Sequence, residues 1–92
     1  MRYYFRIRGR VQGIGYRYFV RHSAQELNLT GWVRNCSNGD VELEVQGPEA
    51  VLNQFAASME NGHPWARIEH VAKEKLPDQS EGSERKEFDV KY

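Results

Sequence analysis

The feature that most restricts how this chain can fold is the stretch Gly9-Arg10-Val11-Gln12-Gly13-Ile14-Gly15-Tyr16-Arg17. It holds three glycines and two arginines in nine residues, and it joins segments of different hydrophobic period. Before it, Tyr3, Phe5, Ile7 and Val11 fall on one face and arginines on the other, which predicts a half-buried strand over residues 2–11. After it, Phe19, Val20, Ala24 and Leu27 recur at helical spacing, which predicts a helix from Arg17 to Asn28. A strand must therefore pass into a helix through a few glycine-rich residues. Glycine lets the main chain turn tightly and bring its N–H groups close to a ligand. At a helix mouth those groups also sit at the positive end of the macrodipole. Closed by an arginine, such a loop is suited to hold a phosphate or a carboxylate.

Downstream, Asn28-Leu29-Thr30-Gly31 ends the helix, and Trp32 and Val33 open a short second strand. Ser37-Asn38-Gly39-Asp40 reads as a tight hairpin, because Asn-Gly tolerates the positive φ of a type I′ turn. Val41, Leu43 and Val45 alternate with Glu42, Glu44 and Gln46 as a third strand. Gly47-Pro48-Glu49 starts a second helix with proline at an early position. Its stripe is Val51, Leu52, Phe55, Ala56 and Met59, and Asn61-Gly62 ends it. Residues 66–76 form a fourth strand in which Ile68 and Val71 are out of phase, the mark of a bulge. Pro77 to Glu84 reads as a polar loop, and Glu87 to Tyr92 as a last strand that turns Phe88 and Val90 inward.

The order strand–helix–strand–strand–helix–strand predicts an α+β, ferredoxin-like βαββαβ sandwich, with an antiparallel sheet and two helices on one face. Ninety-two residues suffice for one domain, 1–92, with a single modest core. No run approaches the roughly 18 apolar residues of a membrane span, and no apolar leader precedes the first strand. The lone cysteine, Cys36, has no disulfide or zinc partner, so a reduced, cytoplasmic setting is expected. That fold hosts many functions and settles none by itself.

Formal net charge is zero but unevenly spread: residues 1–34 carry +6 and residues 35–92 carry −6. The positive field centres on the glycine loop, where it would draw small anions. Arg2, Arg6 and Arg8 alternate on the outer face of the first strand and are expected to be balanced by neighbouring acids. Arg17 differs: a positive charge at a helix start opposes the dipole, a cost that a bound anion would remove.

A second segment, Gly31-Trp32-Val33-Arg34-Asn35, continues through Cys36-Ser37-Asn38-Gly39-Asp40-Val41 and reaches Gly47. Together with Gly9 to Arg17 it resembles the acylphosphatase family, small enzymes that hydrolyse the carboxyl–phosphate bond of acyl phosphates. Ile14 stands where valine is more usual and Tyr16 where phenylalanine is common, and neither change removes an N–H or a charge. The resemblance implies that Arg17 clamps the phosphoryl oxygens and that main-chain N–H groups of Gln12, Gly13, Ile14, Gly15, Tyr16 and Arg17 complete the cradle. It implies that Asn35 orients the attacking water, since an amide has no basic group near neutral pH. Arg17 and Asn35 are thus the expected catalytic residues, with the substrate's own phosphate oxygens as proton acceptor. No metal and no cofactor is expected. Inorganic phosphate or sulfate should compete with the acyl phosphate, and the chain should act as a monomer.

Blander readings attach to the other conspicuous residues. His22, His63 and His70 are scattered and read as surface or partly packed. Cys36 reads as a half-buried small residue, with no neighbouring lysine or histidine to lower its pKa. Trp32 and Trp65 read as packing residues, with Pro64-Trp65 a possible rim of the site. An RNA-binding role is disfavoured by zero net charge and by Glu42 and Glu44 on the third strand. A module that binds a small anion without turning it over ranks lower than an enzyme.

Overall fold

Period-two alternation in the first segment becomes β1, Arg2–Arg10, whose Tyr3, Phe5 and Ile7 are buried. The computed structural model describes residues 1–77 and 87–91. The other strands are β2 (Thr30–Asn35), β3 (Val41–Gln46), β4 (Arg67–Leu76) and β5 (Phe88–Lys91). The helices are α1 (Tyr16–Glu26) and α2 (Glu49–Asn61). The sheet runs β4-β1-β3-β2-β5. Because β3 pairs antiparallel with both β1 and β2, those two strands run parallel to each other with β3 between them. That is the split βαβ arrangement of the ferredoxin-like fold.

The expectation of an antiparallel sheet holds for three pairings and is corrected at one edge, where β5 runs parallel to β2 with Gly31 opposite Phe88 and Val33 opposite Val90. The sheet is therefore mixed. The bulge in the fourth strand is present: β4 pairs Arg8 with His70 but Gly9 with Ile68, leaving Glu69 as the extra residue. Gly9 lets the strands close up here, because a Cβ there would collide with the Arg67 carbonyl oxygen.

Both helices bury one stripe in the same core: Tyr16, Val20 and Ala24 from α1, and Leu52, Phe55 and Met59 from α2. These meet Phe5, Ile7, Val33, Leu43 and Phe88 of the sheet, so the two helices share one face. At about 25 cal/mol per Å² of apolar surface removed from water, this single cluster supplies the main favourable term of folding. The first helix stops two residues earlier than the sequence suggested. Leu29 N–H bonds back to the Ala24 carbonyl at 2.9 Å, and Asn28 takes the left-handed conformation with φ 56°. No helix among the described residues is long and apolar enough to cross a membrane. Residues 78–84 of the expected polar loop, and Tyr92 of the expected last strand, lie outside the described residues.

Candidate active site

The passage from β1 to α1 takes place over Val11–Gly15, and both loop glycines lie in the left-handed region, Gly13 at φ 77° and Gly15 at φ 75°. A residue with a Cβ resists that conformation, so two glycines here fix the path of the curl. Gly15 caps α1 without a side chain, and no acidic residue occupies the first turn. Among the described residues, no capping side chain and no first-turn acid offsets the orphan N–H groups and positive end of this helix N-terminus.

Gly13, Gly15, Tyr16 and Arg17 line a hollow of about 120 Å³, together with Val11, Tyr18 and Asn35. Arg17 is half-buried, and its Nη1 donates to the Lys91 main-chain oxygen at 3.1 Å. The last described strand thus seats the guanidinium from one side. Asn35 is the final residue of β2, paired with Val41 across the sheet. Its Oδ1 is buried with no hydrogen-bond partner among the described residues. A buried amide oxygen left unpaired costs about 1–3 kcal/mol, so its presence in a native hollow calls for a ligand or water to complete it.

Five of the sequence-expected site residues, Gly13, Gly15, Tyr16, Arg17 and Asn35, line this hollow, and the other two, Gln12 and Ile14, make contacts of their own beside it. Gln12, expected to offer its main-chain N–H, uses its side chain as a tie: Nε2 donates to the Cys36 carbonyl at 3.0 Å and to the Asp40 carbonyl at 3.4 Å. That tie fixes the glycine curl relative to the hairpin, and so relative to Asn35. Ile14, which does not line the hollow, accepts with its carbonyl from His63 Nε2 at 3.1 Å. Neither the Gln12 tie nor the Lys91 seat is signalled by a local pattern, because both join residues far apart in sequence. His63 was expected to be surface or partly packed. It is half-buried against the rings of Phe19, Tyr16 and Trp65. Trp65 corrects the packing expectation: it is 73% exposed, standing at the tip of the α2–β4 connection. Tyr16 is buried and donates its hydroxyl to the Met59 carbonyl at 2.9 Å, and burial pushes its pKa above the ordinary value.

On the opposite face of the sheet, two of the three first-strand arginines meet acids as expected, while Arg8 makes no ion pair among the described residues. Arg2 pairs with Glu44 at 2.8 Å and Arg6 with Asp40 at 2.8 Å. Glu42 accepts from the Tyr4 hydroxyl at 2.6 Å and from Arg34. Burial alone would raise the Glu42 carboxyl, but the Tyr4 and Arg34 donors, with the Arg34 and Arg6 charges, hold it below its ordinary value. The Arg6 hydrogen bond likewise holds Asp40 low. Two cations lie over the Trp32 ring, Lys91 Nζ 4.3 Å and the Arg34 guanidinium 5.6 Å from its centre. Cys36 is half-buried and its thiol is pushed up by burial and then by Glu42, as suits a packed residue. No group of three or more His, Cys, Asp and Glu residues among the described residues is gathered to hold a metal ion.

Comparison with known proteins agrees with this architecture. The sequence model of the family described as acylphosphatase matches residues 3–90. An acylphosphatase of Geobacillus kaustophilus is 43% identical over 86 residues, 94% of this chain and 88% of that protein. An acylphosphatase of Clostridium beijerinckii is 40% identical over 92 residues, 100% of this chain and 99% of that protein. The crystal structure of acylphosphatase from Bacillus subtilis superposes with a TM-score of 0.90 at 35% identity, covering 99% of this chain and 98% of that one. A glycine curl at a helix mouth, an arginine in the first turn and a shared fold over nearly the whole length therefore converge, and the chain belongs to the acylphosphatase family of enzymes.

Proposed function

We propose that this chain hydrolyses the carboxyl–phosphate bond of acyl phosphates to a carboxylate and inorganic phosphate, without a metal ion, in the hollow at the mouth of α1. The dianionic phosphoryl group sits against N–H groups of residues 12–17, at the positive end of the helix dipole. The Arg17 guanidinium, a planar fork with five donors, spans the phosphoryl oxygens and compensates their charge. Asn35 Oδ1 accepts a hydrogen bond from a water and so aims the water's lone pair at phosphorus, in line with the departing carboxylate. The new bond forms between water oxygen and phosphorus, and the P–O bond to the acyl group breaks. The electron pair leaves with the carboxylate, and the water proton passes to a phosphate oxygen. Phosphoryl transfer through a loose transition state needs chiefly positioning and charge stabilisation, which these groups offer without a general base.

The observation that carries this reading is the buried, unpartnered Asn35 oxygen lining the same hollow as Arg17 and the two loop glycines. Family membership supports the reaction class. Arg17 and the helix mouth supply the positive charge a metal would otherwise bring. The reading extends to a monomer working in a reducing, cytoplasmic setting, where a single half-buried cysteine is compatible with a free thiol.

Steady-state hydrolysis of benzoyl phosphate in excess chelator tests it. Activity should be unchanged by the chelator, and inorganic phosphate or sulfate should inhibit competitively. Loss of activity on chelation overturns the metal-free mechanism, and absence of turnover with phosphate bound leaves only an anion-binding module.

A further inference from the structure

His63 lies outside the hollow, yet it makes a side-chain hydrogen bond to the main chain of the glycine curl. Its Nε2 is 3.1 Å from the Ile14 carbonyl oxygen, and its Nδ1 is 3.2 Å from the Trp65 N–H. A carbonyl can only accept, and an N–H can only donate. The two contacts together therefore specify one neutral tautomer, with the proton on Nε2 donated to Ile14 and the Nδ1 lone pair accepting from Trp65. The ring has little freedom to leave this position. Phe19 meets it edge-on with centres 5.2 Å apart and planes at 90°, while Tyr16 and Trp65 each lie 6.0 Å away at 60° and 61°.

We propose that His63 is a positioning residue of the phosphate cradle, holding the Ile14–Gly15 peptide so that the Gly15 N–H faces the anion. The peptide bond is planar and, with no cis bonds present among the described residues, its C=O and N–H point to opposite sides. His63 holds the Ile14 C=O on the side of α2's exit, and neither Ile14 nor His63 lines the hollow, whereas Gly15 does. The Gly15 N–H therefore points away from His63, and Gly15 itself lines the hollow. Two left-handed glycines flank Ile14, so without this tether the peptide plane could flip at little steric cost. His63 touches neither substrate nor reacting atoms and acts through the loop. This inference rests on the phosphate-binding role assigned to the curl.

Substitution of His63, read by phosphate binding and by turnover separately, tests the tether. A cradle that must first order itself binds ground state and transition state equally less well, so the loss falls on KM rather than kcat. His63→Ala should weaken inorganic phosphate binding, measured by calorimetry, and raise KM for benzoyl phosphate, each by about tenfold, with kcat within about threefold. His63→Gln, whose amide can donate from nearly the Nε2 position, should recover most of the phosphate affinity, and a merely space-filling role predicts no such rescue. In the unsubstituted protein, long-range nitrogen spectra at mildly alkaline pH should show the Nε2–H tautomer. A His63→Ala variant that binds phosphate as tightly as the parent overturns the proposal. So does a His63→Gln variant no better than the alanine, or a proton found on Nδ1. If the parent binds phosphate but does not turn over benzoyl phosphate, the hydrolytic reading falls while the tether is still judged by binding.

Discussion

The outer face of the sheet and the hollow at the mouth of α1 both carry arginine, yet their polar groups are treated in opposite ways. On the sheet face, Arg2, Arg6 and Arg34 each meet a carboxylate, and Glu42 is enclosed by the Tyr4 hydroxyl and two guanidinium groups. Charge is settled within the molecule there. In the hollow, a helix starts with neither a capping side chain nor an acid, and a buried amide oxygen has no partner among the described residues. Those groups find no such closure among the described residues. The contrast shows that an arginine count locates a positive field but does not say where that field is spent. What separates function from solubility is whether the local donors and acceptors close on themselves.

The sharpest way to break this contrast is to remove the groups facing the hollow. Arg17→Ala and Asn35→Ala should each lower kcat/KM for benzoyl phosphate by about 10²–10³-fold, the range seen when one transition-state contact is deleted. Arg17→Ala should also raise the inhibition constant for phosphate. Asn35→Ala should leave thermal stability unchanged or slightly higher, because it removes an unpaired buried polar group. Full activity in either variant would show that the hollow is only another piece of surface. The converse change is Glu42→Ala on the sheet face. It strands the Tyr4 and Arg34 donors and should cost about 1–3 kcal/mol in urea unfolding while kcat/KM stays within about twofold. Equal losses of activity and stability would erase the distinction between the two regions.

The smallest expected effect sharpens the comparison through pH. Asp40 and Glu42 are both held below their ordinary values of 3.8 and 4.5 in the folded protein. Their contribution is thus fully present above those values and is lost as pH falls through the lower folded values. Urea midpoints should be flat near neutrality and drop in acid below about pH 4.5, with a shallower acid drop in Asp40→Asn. A midpoint that falls between neutrality and pH 5 would point to other groups.

Legibility in the sequence followed the range of the interactions. The strands and helices, governed by periods of two and 3.6 residues, were readable to within a residue or two. Even the bulge was visible, because the misphased Ile68 and Val71 require an extra residue, and Glu69 is that residue. Arg17 and Asn35 were legible because each lies in a signature of local residues. The pairing of β5 was not, since parallel and antiparallel partners present the same inward Phe88 and Val90. The ties made by Gln12, His63 and Lys91 were equally hidden, because each joins positions between 24 and 74 residues apart. Trp65 misled for a related reason: an aromatic residue in a short connection packs only if something folds over it, and beyond the His63 ring little does.

The parallel edge has one more implication, for the order of assembly. Pairing of β2 with β5 joins segments far apart in sequence, Gly31 opposite Phe88, a separation that only the β1–β4 pairing matches or exceeds, and the same β5 offers the Lys91 carbonyl that steadies Arg17. Contacts spanning so much chain are entropically costly to close and form late. A nascent molecule with its hairpin and both helices in place would still lack the Lys91 carbonyl that holds the Arg17 guanidinium, so that contact waits on the late edge strand rather than on collapse.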